Sequence, residues 1–199
     1  MRWIVIVGIV LMMTGCALKP TSGQPTAQMR LGEVSTPKVA SGFPYVLQVR
    51  PMAGSLDSTK LLYQTPDGLR RAYAHHRWEE PLSKQMQQLV VLALAQSAVF
   101  EDVVSTTSKA RAQRVLENTV FAFEQYMLQG GASVVRLHVR ARMVNVVDNA
   151  SVAHRMFRIE MPVLVQTPAG ALDAYNRAFE AWVRELTLWL ASLGEAHAF

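Results

Sequence analysis

Ser133-Val134-Val135-Arg136-Leu137-His138-Val139-Arg140-Ala141-Arg142-Met143-Val144-Asn145 is the stretch from which the architecture can be read. Val135, Leu137, Val139, Ala141 and Met143 alternate with Arg136, His138, Arg140 and Arg142. That period of two belongs to a strand with one apolar and one polar face. A strand needs neighbours for its backbone groups, and both flanks supply them. Leu116 to Leu128 precedes it across Gly130-Gly131, and Val152 to Val163 follows it across the turn residues Asp148-Asn149. The three segments predict an antiparallel meander with the Arg136, His138, Arg140 and Arg142 side chains facing water or a partner.

Working outward, Tyr45 to Arg50 has strand-forming composition and stops at Pro51. Lys60 to Thr65 and Leu69 to Ala74 flank Pro66-Asp67-Gly68, a tight-turn tripeptide, and predict a hairpin. Pro81 then opens a helix, where a missing N–H costs nothing, with Glu79 and Glu80 near its positive dipole end. Leu82, Met86, Leu89, Val90 and Ala93 share one face of it. Val91, Leu92, Leu94 and Ala95 widen the apolar surface, which predicts a core helix covered on more than one side. At the C-terminus Leu172, Tyr175, Phe179, Trp182, Leu186, Trp189 and Leu193 recur at intervals of three and four. They predict an amphipathic helix of about six turns packed along the sheet. The fold class is therefore α+β, an antiparallel or mixed sheet with a central core helix and a C-terminal amphipathic helix on it.

The N-terminus reads differently. Arg2, the apolar run Trp3 to Met13 and the small residues Thr14-Gly15 lead to Cys16, the one cysteine in the 199-residue chain. This layout resembles the lipobox of a bacterial lipoprotein signal, which implies removal of residues 1–15 and Cys16 as the lipid-attachment site; an ordinary secretory signal with a buried cysteine is the alternative. The run is too short to span a bilayer, which takes about 20 apolar residues. Residues 16–41 are rich in Pro, Gly, Ser and Thr and read as the lipidated N-terminus and a flexible linker. Residues 42–199 are then a single domain, stabilised by packing, since one cysteine cannot form an intramolecular disulfide.

The formal net charge of +5 is a mild excess that suits anionic membrane surfaces or acidic partners. Lys and Arg are scattered and no nucleic-acid-binding motif is present, so nucleic acid is not an expected partner. No G-x-S-x-G turn, H-E-x-x-H motif or phosphate-cradling glycine loop occurs, and no catalytic residue is assigned. His75 and His76 are adjacent on a predicted strand and would point to opposite faces, so no metal site is assigned either. Trp78, beside Pro81 at the strand-to-helix junction, reads either as a partner contact or as a ring pinning the hairpin to the helix. Arg136, His138, Arg140 and Arg142 read as a lipid- or partner-contact row or as a solvated face.

Leu62-Tyr63, Tyr73, Arg77-Trp78-Glu79-Glu80-Pro81-Leu82, the long helix and Phe100-Glu101-Asp102-Val103 occur in an order that resembles the ABC-type transport auxiliary lipoproteins, which include the paraquat-inducible lipoprotein C group. Phe121-Ala122-Phe123-Glu124 and the segment from Asn176 to Leu190 continue the resemblance. It implies a non-catalytic lipoprotein working with an ABC permease, its ATPase and a periplasmic protein of the mammalian-cell-entry type in intermembrane lipid transport. It implies no cofactor beyond the diacylglycerol and acyl chain, such as palmitate, on Cys16, and allows a homo-oligomer. Ala17 and Leu18 place no aspartate after the cysteine, which by the sorting rule of such lipoproteins implies the periplasmic face of the outer membrane. A lipid carrier binding an acyl chain between core helix and sheet, or a general outer-membrane assembly lipoprotein, are the alternatives.

Overall fold

A computed structural model describes residues 26–39, 42–54 and 56–195. The signal segment and Cys16 lie outside them. Among the described residues nine strands and two helices follow in the order β1 (Ala27–Met29), β2 (Phe43–Val49), β3 (Ala53–Gly54), β4 (Lys60–Gln64), β5 (Arg70–Trp78), α1 (Leu82–Ser97), β6 (Phe100–Ser105), β7 (Arg114–Met127), β8 (Ser133–Asn145), β9 (Ser151–Pro162) and α2 (Pro168–Glu195). All nine strands belong to one mixed sheet, so the fold is α+β.

The long strand β7 is its spine. One edge pairs antiparallel with β8 from Arg114↔Asn145 to Met127↔Ser133, and β8 pairs in turn with β9. The other edge is shared by three short parallel partners in succession, β2 at Leu116, β3 at Thr119 and Val120, and β4 at Gln125 and Tyr126. The sheet therefore forks. β2 leads to β6, while β4 leads to β5 and then to β1. The connection from β6 to β7 passes over β2, which lies between them.

Both helices cover one face. Inward side chains of β7 and β8, among them Leu116, Val120, Phe123, Leu137 and Val139, join Met86, Val90 and Leu94 of α1 and Tyr175, Phe179, Trp182 and Leu186 of α2 in one core. The three-four spacing read in the C-terminal segment is the buried stripe of α2, although that helix has 28 residues, about eight turns rather than six. The meander and the hairpin form as their turn residues and alternation require. β5 runs further than the hairpin reading, to Trp78.

One expectation needs correction. Residues 26–39 are not a linker: β1 adds to the edge of β5, and Met29, Leu31 and Val34 are buried. The Leu31 amide donates to Gln85 Oε1 at 2.9 Å and the Gly32 amide to Asn176 Oδ1 at 3.0 Å, so the segment is tied to both helices. Isolated apolar residues among Pro, Gly and Thr carry no periodicity, which is why the pairing was not visible in composition. α1 packs against β6, β2 and α2, while Leu92 and Ala95 of its wide apolar surface are exposed. Pro81 sits at its cap position, one residue before the first helical turn. Phe100–Ser105 is a strand held parallel to β2 by pairing distant in sequence.

Candidate functional site

With the helices on one side, the other side of the β7–β8–β9 meander is open, and the register brings all four residues of the Arg136 to Arg142 row onto it. Arg136 faces Glu160, His138 faces Arg158, Arg140 faces Met156 and Arg142 faces His154 on β9. On β7 the corresponding positions are Glu124, Ala122, Thr119 and Glu117. An irregularity between Val120 and Ala122 leaves Phe121 outside the ladder, a β-bulge that turns its ring outward at 55 % exposure.

The four members of the row are not equivalent. Arg136 Nε donates to Glu160 Oε2 at 2.6 Å, and its guanidinium lies 4.5 Å from the Tyr126 ring centre. Arg142 donates through Nε and Nη2 to Glu117 Oε2, while Arg50 Nη1 donates to Glu117 Oε1 at 2.6 Å. One carboxylate therefore holds two guanidinium groups. Such exposed pairs are each worth about 0–1 kcal/mol and chiefly fix side-chain position. Arg140 has the Phe121 ring 5.8 Å away, and among the described residues neither Arg140 nor Arg158 joins an ion pair. The centre of the face is thus cationic with an aromatic and a thioether beside it, and the arginines at its ends are held in ion pairs.

Sequence reading found the cations and missed their partners Glu117, Glu160 and Arg50, and also Phe121 and Arg158. The signal was present to some extent, because Glu117 and Glu160 become cross-strand neighbours once the turn positions set the meander register. Arg50 needed the parallel β2–β7 pairing, which no local pattern announces.

His138 has its pKa lowered from the ordinary 6.5 by desolvation first, then by the nearby Arg158 and Arg136. Its imidazole is therefore neutral at pH 7. The sign of the linkage follows from proton counts. Around pH 6.5 the unfolded chain takes up a proton that folded His138 still refuses, so acidification through that window lowers stability. Replacing His138 with Gln is expected to flatten the loss of urea stability between neutral pH and about pH 5. An unchanged slope would show that His138 does not titrate below its unfolded value.

Trp78 does not belong to this face. It is 2 % exposed, with its ring edge-on to Tyr175 at 5.1 Å, and offers nothing to a partner. His75 and His76 lie on β5, and no group of three or more possible metal-ligating residues occurs among the described residues. At one end of the open face, Arg111 and Ala112 of the β6–β7 connection rise beside Gln48, Arg50, Val115, Val144 and Val146 to form a shallow cleft of about 390 Å³. No helix among the described residues is long and apolar enough to cross a membrane.

The class defined by this geometry is a forked mixed-sheet α+β domain, helices on one face and a charged open face on the other. Protein XCC0632 from Xanthomonas campestris has the same fold, with a TM-score of 0.78 at 20% identity over 85% of this chain and 98% of that one. A second solved protein, described only as uncharacterized, aligns with a TM-score of 0.64 at 16% identity over 83% and 99%. A putative lipoprotein from Caulobacter crescentus aligns at 0.43, with 17% identity over 56% and 85%. No curated protein matches the chain. Residues 31–187 match the family model of the ABC-type transport auxiliary lipoprotein component, and the chain belongs to that family.

Proposed function

We propose that the protein is the auxiliary lipoprotein of an ABC-type intermembrane lipid transport system, anchored through Cys16 at the periplasmic face of the outer membrane. In this reading it is a non-catalytic adaptor that docks a mammalian-cell-entry-type periplasmic component working with the permease and ATPase. The family match over residues 31–187 carries the reading. The open meander face supports it, since Arg140 and Arg158 present uncompensated positive charge beside Phe121 and Met156, a combination suited to an acidic, partly apolar partner surface. A carrier holding an acyl chain between core helix and sheet is less favoured, because Trp78, Trp182, Tyr175, Phe157 and Phe179 fill that interior.

Affinity capture of the lipidated protein from its own membranes is expected to recover a mammalian-cell-entry-type protein with the permease or ATPase. Arg140→Glu combined with Arg158→Glu should reduce that recovery by at least tenfold, which corresponds to about 1.4 kcal/mol. Recovery of lipid with no transporter component would favour the carrier, and recovery of β-barrel assembly proteins would favour a general envelope role. Cys16→Ala serves as the control that separates anchoring from docking.

A further inference from the structure

The sheet ends at three strands, β1, β6 and β9. β1 has three residues and β6 six, whereas β9 runs for twelve, from Ser151 to Pro162. A free edge of that length is a template for a further strand. Two hydrogen bonds show which backbone groups it offers. The Val163 amide donates to the Ser133 carbonyl of β8, so Val163 faces β8, and the unbroken register turns the odd-numbered residues back to Ala153 the same way. Pro162, of the other parity, turns its carbonyl off the sheet, where it accepts from Arg177 Nη2 of α2 at 2.6 Å. The backbone groups of His154, Met156, Arg158 and Glu160 therefore point away from β8, and their side chains lie on the open face.

The charges along this edge lack a counterpart that the rest of the face has. Glu117 of β7 holds a guanidinium from each side, Arg142 of β8 on Oε2 and Arg50, just beyond β2, on Oε1. Glu160 has a neighbouring strand on one side only. Arg136 of β8 holds its Oε2, and among the described residues nothing donates to Oε1. Two positions away stands Arg158, exposed and in no ion pair. Charged side chains on an edge ordinarily keep other copies away. Here their order is self-complementary: when two β9 edges meet antiparallel with Ile159 on a twofold axis, Arg158 of each copy stands directly opposite Glu160 of the other. An axis at Arg158 would set two arginines against each other, and one at Phe157 would set Arg158 against Met156.

We propose that the β9 edge is the interface to a second copy of this chain, the two strands pairing antiparallel about a twofold axis at Ile159 with Arg158 of each copy bound to Glu160 of the other. Arg158 and Glu160 then exchange both backbone hydrogen bonds, as their edge-facing groups require, and Ile159 meets its own counterpart in a close pair without hydrogen bonds. Each Glu160 holds two guanidinium groups, as Glu117 does. The open faces of the two copies merge into one surface. Arg140, one strand in from the edge, remains the cation that each copy offers to a partner, and two such sites on one surface raise avidity without any new contact.

Thiol oxidation of the whole protein in its own membranes tests the pairing. Ile159→Cys is read against the unsubstituted chain, so that any bridge through Cys16 is discounted. A close antiparallel pair has its Cα atoms about 4.5 Å apart, within disulfide reach. The expected result is a dimer band for Ile159→Cys and a band at least tenfold weaker for Phe157→Cys. Adding Arg158→Glu to Ile159→Cys should lower the band at least tenfold, while the same charge change at Arg71 of β5, on the far side of β7, should leave it as it was. A stronger band at position 157 than at 159 would overturn the register. Bridging of the position-159 thiol to a different protein would overturn the proposal in favour of a strand supplied by a partner. Sedimentation of the unsubstituted protein in detergent depends on no variant folding: single copies across the concentration range would rule the pairing out.

Discussion

Trp78→Ala is expected to lower the unfolding free energy by about 3–5 kcal/mol, the range for removing a large buried aromatic ring. Against the 5–15 kcal/mol typical of whole domains, this is a large fraction of the stability. The ring closes a junction of four elements. It meets Tyr175 of α2 edge-on, and Tyr175 is itself 5.0 Å from the Phe123 ring of β7. Burial pushes the Tyr175 phenol well above its usual pKa, and its hydroxyl donates to the Leu62 carbonyl of β4 at 3.2 Å. Trp78 also pairs with Met29 of β1 through the backbone. Alanine would leave a void bounded by α2, β4, β7 and β1, and a denaturant melt measures the result. Capture of transporter components per folded molecule should be unchanged. A variant as stable as the parent with lost capture would restore Trp78 as a contact residue.

Gly54→Ala is expected to cost about 3 kcal/mol, of which backbone strain at positive φ accounts for about 1. Gly54 has φ +124°, and a β-carbon there would run into the carbonyl oxygen of Val120. Val120 is the last residue before the bulge that turns Phe121 outward, so the clash falls on the element shaping the centre of the open face. Gly130→Ala separates the two effects. Gly130 also has positive φ, at +87°, but a β-carbon there would have nothing within 4 Å. It should cost about 1 kcal/mol, the strain alone. Amide chemical shifts should move around residues 119–123 in Gly54→Ala only. Equal stabilities for the two variants would show that β3 yields without strain and does not brace the bulge.

The elements visible in sequence are those whose signal is local. Alternation from Val135 to Met143 and the turn residues at 66–68, 130–131 and 148–149 announce the meander and hairpin within windows of a dozen residues. The stripe from Leu172 to Leu193 announces α2 in the same way. β1, β3 and β6 escape such reading because they are short and their partners lie far along the chain: β1 pairs across about fifty residues and β6 across more than fifty. β3 is two residues long and exposed on both. The candidate face was half visible. The cations could be counted from the strand, but which of them are neutralised depends on the register of three strands and on Arg50 from a fourth. Trp78 was ambiguous because a tryptophan beside a helix start suits either role, and only the placement of α2 over it resolves the choice.

The direction of β1 has a mechanical consequence. Tension reaching Ala27 from the N-terminal side enters β1 at its N-terminus and, directed along the strand axis towards the start of β5, loads the pairing with β5 in shear. The hydrogen bonds to β5 lie across that line and must all break together. Had β1 run the other way, the chain would double back and the same tension would peel it off rung by rung. Beyond Met29 the load passes at Leu31 to Gln85 and at Gly32 to Asn176, which distributes it to both helices. The attachment is then a shear joint, so the domain should hold its fold under such a pull at forces that would strip a peeling strand of the same length.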